Sequence, residues 1–214
     1  MTARPAAGGG RWVDVDPGRL ARWLENFTAR HGPPAAEPTG YGLLLTAPDG
    51  ATAELHPPPG AAGTADLPGF VAEAGAARRI GLLLARKAAV AVGVADGTRL
   101  VESKVDTSYV QSRTAAGGWS QQRFARRRDN QAKAAAAGAS DIAVRLLLPA
   151  AGTLAALVCG GDRRTVDTIL EDRRLAPLLP LRSDRLLDVP EPRRAVLVDA
   201  VAAARAVRVL VRDP

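Results

Sequence analysis

Residues 117–133 read Gly117-Gly118-Trp119-Ser120-Gln121-Gln122-Arg123-Phe124-Ala125-Arg126-Arg127-Arg128-Asp129-Asn130-Gln131-Ala132-Lys133. Two consecutive glycines allow a loop backbone to adopt positive φ and to approach a ligand closely. Ser120 is a favoured N-cap, alanines follow up to Ala137, and Gly138 is a common helix stop. The segment therefore predicts a glycine loop that runs directly into a helix over residues 120–137.

The predicted helix separates basic surface from apolar surface. At 100° per residue, Phe124 and most of the alanines fall on one side, and the basic residues fall within one third of the circumference on the other. This basic side contains Arg123, Arg126, Arg127, Asn130 and Lys133. Arg128 lies near the middle of the apolar side, so either it pairs with a buried acid or it belongs to the basic surface at the helix edge.

The charge of the chain is concentrated in this segment. Between Arg113 and Lys133 there are six basic residues and one acid, which gives +5 of the formal net charge of +7. A solvated charged face is the ordinary explanation of a basic helix. Segregated charge beside a double-glycine loop instead favours a polyphosphate partner.

The pattern Gly-Gly-Trp-Ser-Gln-Gln-Arg-Phe-Ala-Arg-Arg-Arg resembles the tip loop and helix of the middle domain of class I eukaryotic peptide-chain release factors. In that domain Gly-Gly-Gln is followed by Ser and then by Arg-Phe-Ala-Arg. The segment is more specifically similar to the Vms-like release factors and peptidyl-tRNA hydrolases, in particular their actinobacterial branch. Eight typed positions keep fixed spacing across a loop-to-helix junction. The resemblance covers about residues 80–212, and residues 11–56 more loosely.

One position departs from the family pattern. In a gapless match Trp119 stands where release factors have the glutamine, whereas the Vms-like pattern Gly-Gly-Ser-Gln fits Gly117, Gly118, Ser120 and Gln121 if Trp119 is an insertion. The resemblance therefore implies Gln121 as the catalytic residue, with Gln122 next. Trp119 either stacks on a base or packs across the loop.

The activity implied by the resemblance is hydrolysis of the ester that joins a nascent peptide to tRNA. A glutamine and loop amides can orient water and stabilise the tetrahedral oxyanion without a cofactor or a metal. The implied catalytic set is Gly117, Gly118, Ser120, Gln121 and Gln122. The implied RNA-binding set is Arg113, Trp119, Arg123, Arg126, Arg127, Arg128, Asn130 and Lys133.

The implied partners are the RNA of the large ribosomal subunit and the acceptor end of peptidyl-tRNA. We expect a codon-independent hydrolase that releases nascent chains from stalled or split large subunits, since reading a stop codon requires a further domain. The alternative is a non-catalytic, ribosome-associated RNA-binding factor that lost the glutamine to Trp119. Both would bind RNA through phosphates, with a strong dependence on salt.

The composition indicates which classes of protein the chain can belong to. The 214 residues, 47% of them hydrophobic, are enough for a real core, and no run of 18 apolar residues is present. Cys159 is the single cysteine and the histidines are two, so a disulfide and a zinc site are not expected. We expect a monomeric cytoplasmic protein that does not contact membranes. Residues 1–10 are interpreted as a disordered tail and 11–214 as one domain, with an N-terminal part (11–79) and a best-matched core (80–212).

Periodicity outside the loop predicts an α/β fold, a mixed sheet with helices packed on it. Residues 17–31 read as a helix between Asp16-Pro17 and Gly32, and its aromatic stripe is predicted to be core. Residues 33–39 read as a linker, and 41–55 as a hairpin. Strands are predicted near 82–85, 88–94, 100–110, 142–148, 154–159 and 207–211, with helices near 162–170 and 192–205. The resemblance implies an RNase-H-like or release-factor middle-domain-like arrangement.

Two other segments contain residues typical of functional sites. Glu102 and Asp106 share one face of a predicted strand and could suggest a metal nuclease, but this spacing is ordinary for a solvated face. Gly160-Gly161-Asp162 at a strand-to-helix turn could bind phosphate through helix amides, although a tight turn is the usual reason for such glycines.

Overall fold

The computed structural model describes residues 3–86, 89–107 and 120–214, and it gives residues 120–133 by their backbone alone. The chain forms two compact units, the first made of Met1–Arg78 with Ala202–Pro214 and the second of Arg79–Val201. This boundary falls beside the junction that the sequence placed at residue 79. The C-terminal segment, however, belongs to the first unit.

The first unit is built on a six-stranded antiparallel sheet. Its strands are β1 (Ala3–Pro5), β2 (Arg11–Val15), β3 (Ala35–Thr39), β4 (Gly42–Thr46), β5 (Thr52–His56) and, at the end of the chain, β11 (Val207–Arg212). Their order is β1-β2-β11-β5-β4-β3. Alternate residues such as Val13, Leu43, Leu55 and Val209 are buried on one face, as the period of two requires. The first and last segments of the chain therefore share one sheet.

Two helices of the first unit, α1 (Leu20–His31) and α2 (Leu67–Gly75), contribute to its core. The predicted bounds of this helical segment are confirmed: the Asp16 carboxylate accepts a hydrogen bond from the Gly18 amide at 2.9 Å and caps the 3-10 turn Pro17–Arg19, which leads into α1, and Gly32 ends α1 with a φ of 87°. The hairpin of β4 and β5 is also confirmed, with Gly50 at a φ of 93° in its turn. Local cap and turn chemistry was sufficient to place these elements.

Three features of the first unit differ from the sequence interpretation. Ala3–Pro5, in the segment interpreted as a disordered tail, pairs with β2 as a strand. The interpretation of residues 33–39 as a linker was wrong, because Ala35–Thr39 pairs with β4 as an edge strand, where Pro38 is tolerated. Helix α2 was not foreseen, although Asp66 caps it by accepting a hydrogen bond from the Gly69 amide at 2.7 Å.

The second unit contains a five-stranded mixed sheet. Its strands are β6 (Arg79–Arg86), β7 (Ala89–Asp96), β8 (Arg99–Thr107), β9 (Ala156–Gly161) and β10 (Arg182–Leu187). The order is β10-β9-β6-β7-β8, with β6, β7 and β8 antiparallel and β6, β9 and β10 parallel. This confirms the predicted α/β class, the mixed sheet and the RNase-H-like arrangement.

Helices pack on this sheet. They are α3 (Ser120–Leu147), α4 (Arg163–Leu170), the 3-10 segment Arg173–Leu181 and α5 (Arg194–Arg205), of which α5 crosses the boundary between the units. The first three share one core with β6, β7 and β9, which includes Leu83, Val92 and Val166. Leu197 of α5 is fully buried, and its side chain lies beside Gly93, where a Cβ would come within 3.0 Å.

The predicted end of α3 at Gly138 and the strand predicted near 142–148 were both wrong. The helix continues to Leu147 and buries Ala139, Ile142, Ala143 and Leu146, which repeat at helical spacing. Each large apolar side chain contributes about 1.5–3 kcal/mol on burial, whereas a glycine inside a helix costs about 1 kcal/mol. Tertiary packing therefore outweighs the local stop signal.

Gly138→Ala is expected to stabilise the protein. Gly138 lies inside α3, its φ is not positive, and a Cβ at this position would meet no atom within 4 Å. The gain should be about 0.5–1 kcal/mol, which raises the thermal midpoint by about 1–4 °C. The measurement is thermal unfolding followed by circular dichroism. Gly161→Ala is the matched control and should lower the midpoint, because Gly161 has a φ of +93° and its Cβ would lie 2.2 Å from the Ala85 carbonyl oxygen.

Candidate functional site

Helix α3 carries most of the residues selected from the sequence. It begins at Ser120, which confirms the predicted helix start, and its first turn contains Gln121 and Gln122. The same helix also contains the basic set. These residues are Arg123, Arg126, Arg127, Arg128, Asn130 and Lys133. Arg113, Gly117, Gly118 and Trp119 lie outside the described residues, in the segment between β8 and α3.

The C-terminal half of α3 is fixed in the core of the second unit. Ile142, Ala143, Leu146 and Leu147 are buried there against the sheet and α4. The helix also lies alongside β7 and β8, the strands that precede the glycine loop. The half that bears the glutamines and arginines is therefore continuous with a rigidly packed segment.

Polar contacts add to this anchor. Ser140 is the buried polar residue of the described core, and its hydroxyl lies 3.0 Å from the Ala136 carbonyl oxygen and 3.1 Å from that of Ile169 in α4. A buried hydroxyl that lost these partners would cost about 1–3 kcal/mol. Ser140 thus ties α3 to the end of α4, a role that sequence reasoning did not foresee because Ile169 is distant in sequence.

Arg174 forms a second link at the surface. Its guanidinium donates to Asp172 at 2.6 Å and to Asp141 of α3 at 2.8 Å. Hydrogen bonds from the Arg174 side chain and backbone lower the pKa of Asp172 to about 2. Since these groups are well exposed, the link orients α3 more than it stabilises the fold.

The N-terminal half of α3 is long. Sixteen residues of α3 precede Ala136, which packs against the core of the second unit. At 1.5 Å per residue this length corresponds to about 24 Å of helix. Position 120 therefore lies far along the helix axis from its packed half.

Net positive charge is confined to the second unit. Residues 1–78 and 202–214 contain nine basic and nine acidic residues, whereas residues 79–201 contain twenty basic and thirteen acidic residues. The whole formal excess of +7 thus belongs to the unit that contains α3. A polyanion is attracted to this unit rather than to the first.

Among the described residues, the cysteine, histidine and carboxylate side chains offer little support for a conventional nucleophile or a metal site. Burial raises the pKa of the Cys159 thiol to about 11, so Cys159 is not a reactive thiolate. Within residues 3–86, 89–107 and 120–214, no three His, Cys, Asp or Glu side chains are grouped to hold a metal. Glu102 and Asp106 are exposed on β8, an edge strand.

The glycines at 160 and 161 serve packing. A Cβ on Gly160 would lie 2.8 Å from Leu84, and one on Gly161 would lie 2.2 Å from the Ala85 carbonyl oxygen, so strand β6 requires glycine at both positions. Asp162 caps α4 by accepting hydrogen bonds from the Thr165 amide and hydroxyl, and these bonds lower the pKa of Asp162. This geometry accounts for the motif without a phosphate.

Membrane insertion through a helix is not indicated. None of the helices in the described ranges combines the length and the apolar character that crossing a bilayer requires.

Known proteins resemble the chain in sequence and in fold. The family model of the actinobacteria/chloroflexi VLRF1 release factor matches residues 78–210, which include all of β6 to α5. No curated protein matches the sequence. The archaeal translation termination factor aRF1 has a similar structure, with 14% identity, a TM-score of 0.39, and coverage of 89% of this chain and 73% of that chain. A structure named as an archaeal protein gives 15% identity, a TM-score of 0.40, and coverage of 90% and 74%.

Proposed function

Because this chain belongs to the actinobacteria/chloroflexi VLRF1 release factor family, we propose that it hydrolyses the ester of peptidyl-tRNA on stalled or split large ribosomal subunits. Membership gives a role in translation termination at the ribosome. The observation that carries the finer proposal is the start of α3 at Ser120, which puts Gln121 and Gln122 in the first helical turn after the paired glycines.

The start of a long helix suits the stabilisation of an oxyanion. The first four backbone N–H groups of a helix have no partner within it, and the aligned peptide dipoles make this end positive. In α3 these groups include the amides of positions 120–122. A glutamine side chain adds a neutral donor and acceptor, which is easier to desolvate than a charge. We assign Gln121 to the orientation of water and charge stabilisation, with Gln122 as the alternative.

The helical register supports an RNA-binding face on α3. Counted at 100° per residue from the buried Ala139, positions 123, 126, 127, 130 and 133 lie about 120° to 240° around the axis, opposite the packed stripe. These positions carry four basic residues and Asn130. We propose that they contact ribosomal RNA and the tRNA acceptor end through phosphates, without sequence readout. Position 128 lies on the side of the packed stripe instead.

Codon independence is consistent with the charge of the first unit. A domain that contacts messenger RNA at the decoding site would benefit from excess positive charge, and the first unit has equal numbers of basic and acidic residues. We therefore propose that the protein acts at the large subunit independently of the codon. We also propose that it acts as a monomer in the cytoplasm.

A second candidate function rests on Trp119. Tryptophan at the position of the release-factor glutamine favours a ribosome-associated RNA-binding factor without catalysis. Both candidates predict binding to the large subunit, so only cleavage of the ester distinguishes them.

The test is peptide release from labelled peptidyl-tRNA bound to isolated large subunits. Under single-turnover conditions, the rate of peptide release should rise with protein concentration and then saturate. Chelation of divalent metal after the complexes have formed should not abolish hydrolysis of the ester. Binding is measured in parallel by co-sedimentation. Saturable binding without release would reject the hydrolase and leave the RNA-binding factor.

A further inference from the structure

The first unit contains an open cavity between β2, β11 and α1. Its volume is about 730 Å³, which falls within the range of small-molecule sites. The floor is apolar and consists of Val13, Phe27 and Val211, each at most 5% exposed. This cavity shares no residue with the proposed hydrolase site.

Three rings form one wall of the cavity. Trp23, Phe27 and His31 repeat at a spacing of four along α1 and so follow one stripe of the helix. The Trp23 and Phe27 rings stack at 5.6 Å with planes 17° apart, and the Phe27 and His31 centroids are 4.9 Å apart. The stripe that the sequence predicted as core, Leu20, Trp23, Leu24 and Phe27, does pack there: Leu20 and Phe27 are buried, and Trp23 and Leu24 pack against the core while staying partly exposed. The Phe27 and His31 planes are tilted by 43° and both rings are buried, so Trp23 is the ring that a planar group can reach.

The His31 imidazole is held in a fixed orientation. Its Nδ1 atom lies 2.8 Å from the Asp49 carboxylate, and its side chain is 8% exposed. Asp49 also accepts a hydrogen bond from the Ala51 amide at 3.0 Å, so the carboxylate is fixed in turn. Because Nδ1 contacts Asp49, Nε2 is the ring nitrogen of His31 that could hydrogen-bond to a ligand.

Side chains that can donate hydrogen bonds to an anion lie at the rim of the cavity. Asn26 and Arg30 are exposed on the neighbouring stripe of α1 and line the cavity with Arg11 of β2. Arg11 donates to Asp213, whereas Arg30 has no hydrogen-bond or ion-pair partner among the described residues. Two arginines thus lie near two carboxylates, Asp213 and Asp49, and Arg30 is the arginine that no carboxylate of the described residues contacts directly.

We infer that this cavity binds a mononucleotide, with its base against the partly exposed Trp23 ring and its phosphate at Arg30, Arg11 and Asn26. A planar aromatic group joined to an anion matches both features of the cavity. The neutrality of the whole first unit favours one nucleotide over a longer nucleic acid. The nucleotide is either free in solution or the terminal residue of an RNA.

Tryptophan fluorescence provides the test. In the full chain with Trp12→Phe and Trp119→Phe, Trp23 is the one remaining tryptophan and reports on its own surroundings. AMP should quench this emission with saturation, and adenosine or inorganic phosphate should bind at least about tenfold more weakly, since each lacks one of the two groups. Quenching that does not saturate, or equal affinity for adenosine and AMP, would overturn the inference.

Paired variants assign the phosphate contact. Arg30→Gln should weaken AMP binding about tenfold. Arg22→Gln removes an exposed arginine of the same helix that does not line the cavity, and it should leave binding unchanged. Equal effects of the two substitutions would show a nonspecific charge effect and reject the site.

A second ligand distinguishes the two sources of the nucleotide. If the oligonucleotide ACCA with a 5′-phosphate binds at least as tightly as AMP, the cavity takes an RNA end. Weaker binding of ACCA assigns the cavity to a free nucleotide.

Discussion

Gln121→Ala is expected to slow peptide release from large subunits about 100- to 1000-fold, the effect of removing one donor that stabilises an oxyanion. Gln121 lies in the first turn of α3, beside the unpaired amides of the helix start. Affinity for the subunit should remain, because the proposed phosphate contacts belong to other residues. Single-turnover release and co-sedimentation measure the two quantities separately.

The same helix offers a matched control. Gln131 lies ten positions further along α3, about 15 Å from Gln121, so Gln131→Ala should release peptide at the normal rate. If Gln122→Ala loses peptide release and Gln121→Ala releases peptide normally, Gln122 is the catalytic glutamine. Normal release in both variants would reject a glutamine mechanism.

Reversing Arg123, Arg126 and Arg127 to glutamate is expected to weaken binding to the large subunit at least about 100-fold. These positions lie opposite the packed stripe of α3, and three phosphate contacts would be lost. The slope of log affinity against log salt should become shallower by about 2 to 3. The thermal midpoint should stay within about 3 °C, since substitutions opposite the packed stripe should leave the core contacts intact.

An equal change of charge on the first unit provides the control for this triple substitution. Arg19, Arg22 and Arg212 are exposed, and reversing them lowers the formal net charge from +7 to the same value of +1. If binding depends on the face of α3, this control should bind almost normally. Equal losses in the two variants would mean that only the total charge matters.

Local chemistry predicted many elements of the fold because their signals lie within a few residues. Asp16-Pro17 and Gly32 bound α1, and Gly50 defines the hairpin turn. The loop-to-helix junction at Ser120 was found in the same way. These elements depend on caps and turns, which single residues specify.

The errors came from long-range packing. The stop signal at Gly138 is outweighed by core contacts that Ile142 and Leu146 make with residues distant in sequence. The Arg174 link to Asp141 spans 33 residues, and no short pattern indicates it. The ring-lined cavity was missed for the same reason, since β2 and β11 border it from opposite ends of the chain.

The position of β11 has a consequence for biosynthesis. This strand lies between β2 and β5, so the middle of the first sheet is translated after the whole of β6 to β10. While the second unit is being made, the early strands have no central neighbour, and they expose unpaired edges at the exit of the ribosome. Strands β2 and β5 therefore gain their shared neighbour only after the second unit has been translated, so the first sheet cannot be completed before all strands of the second sheet have been made.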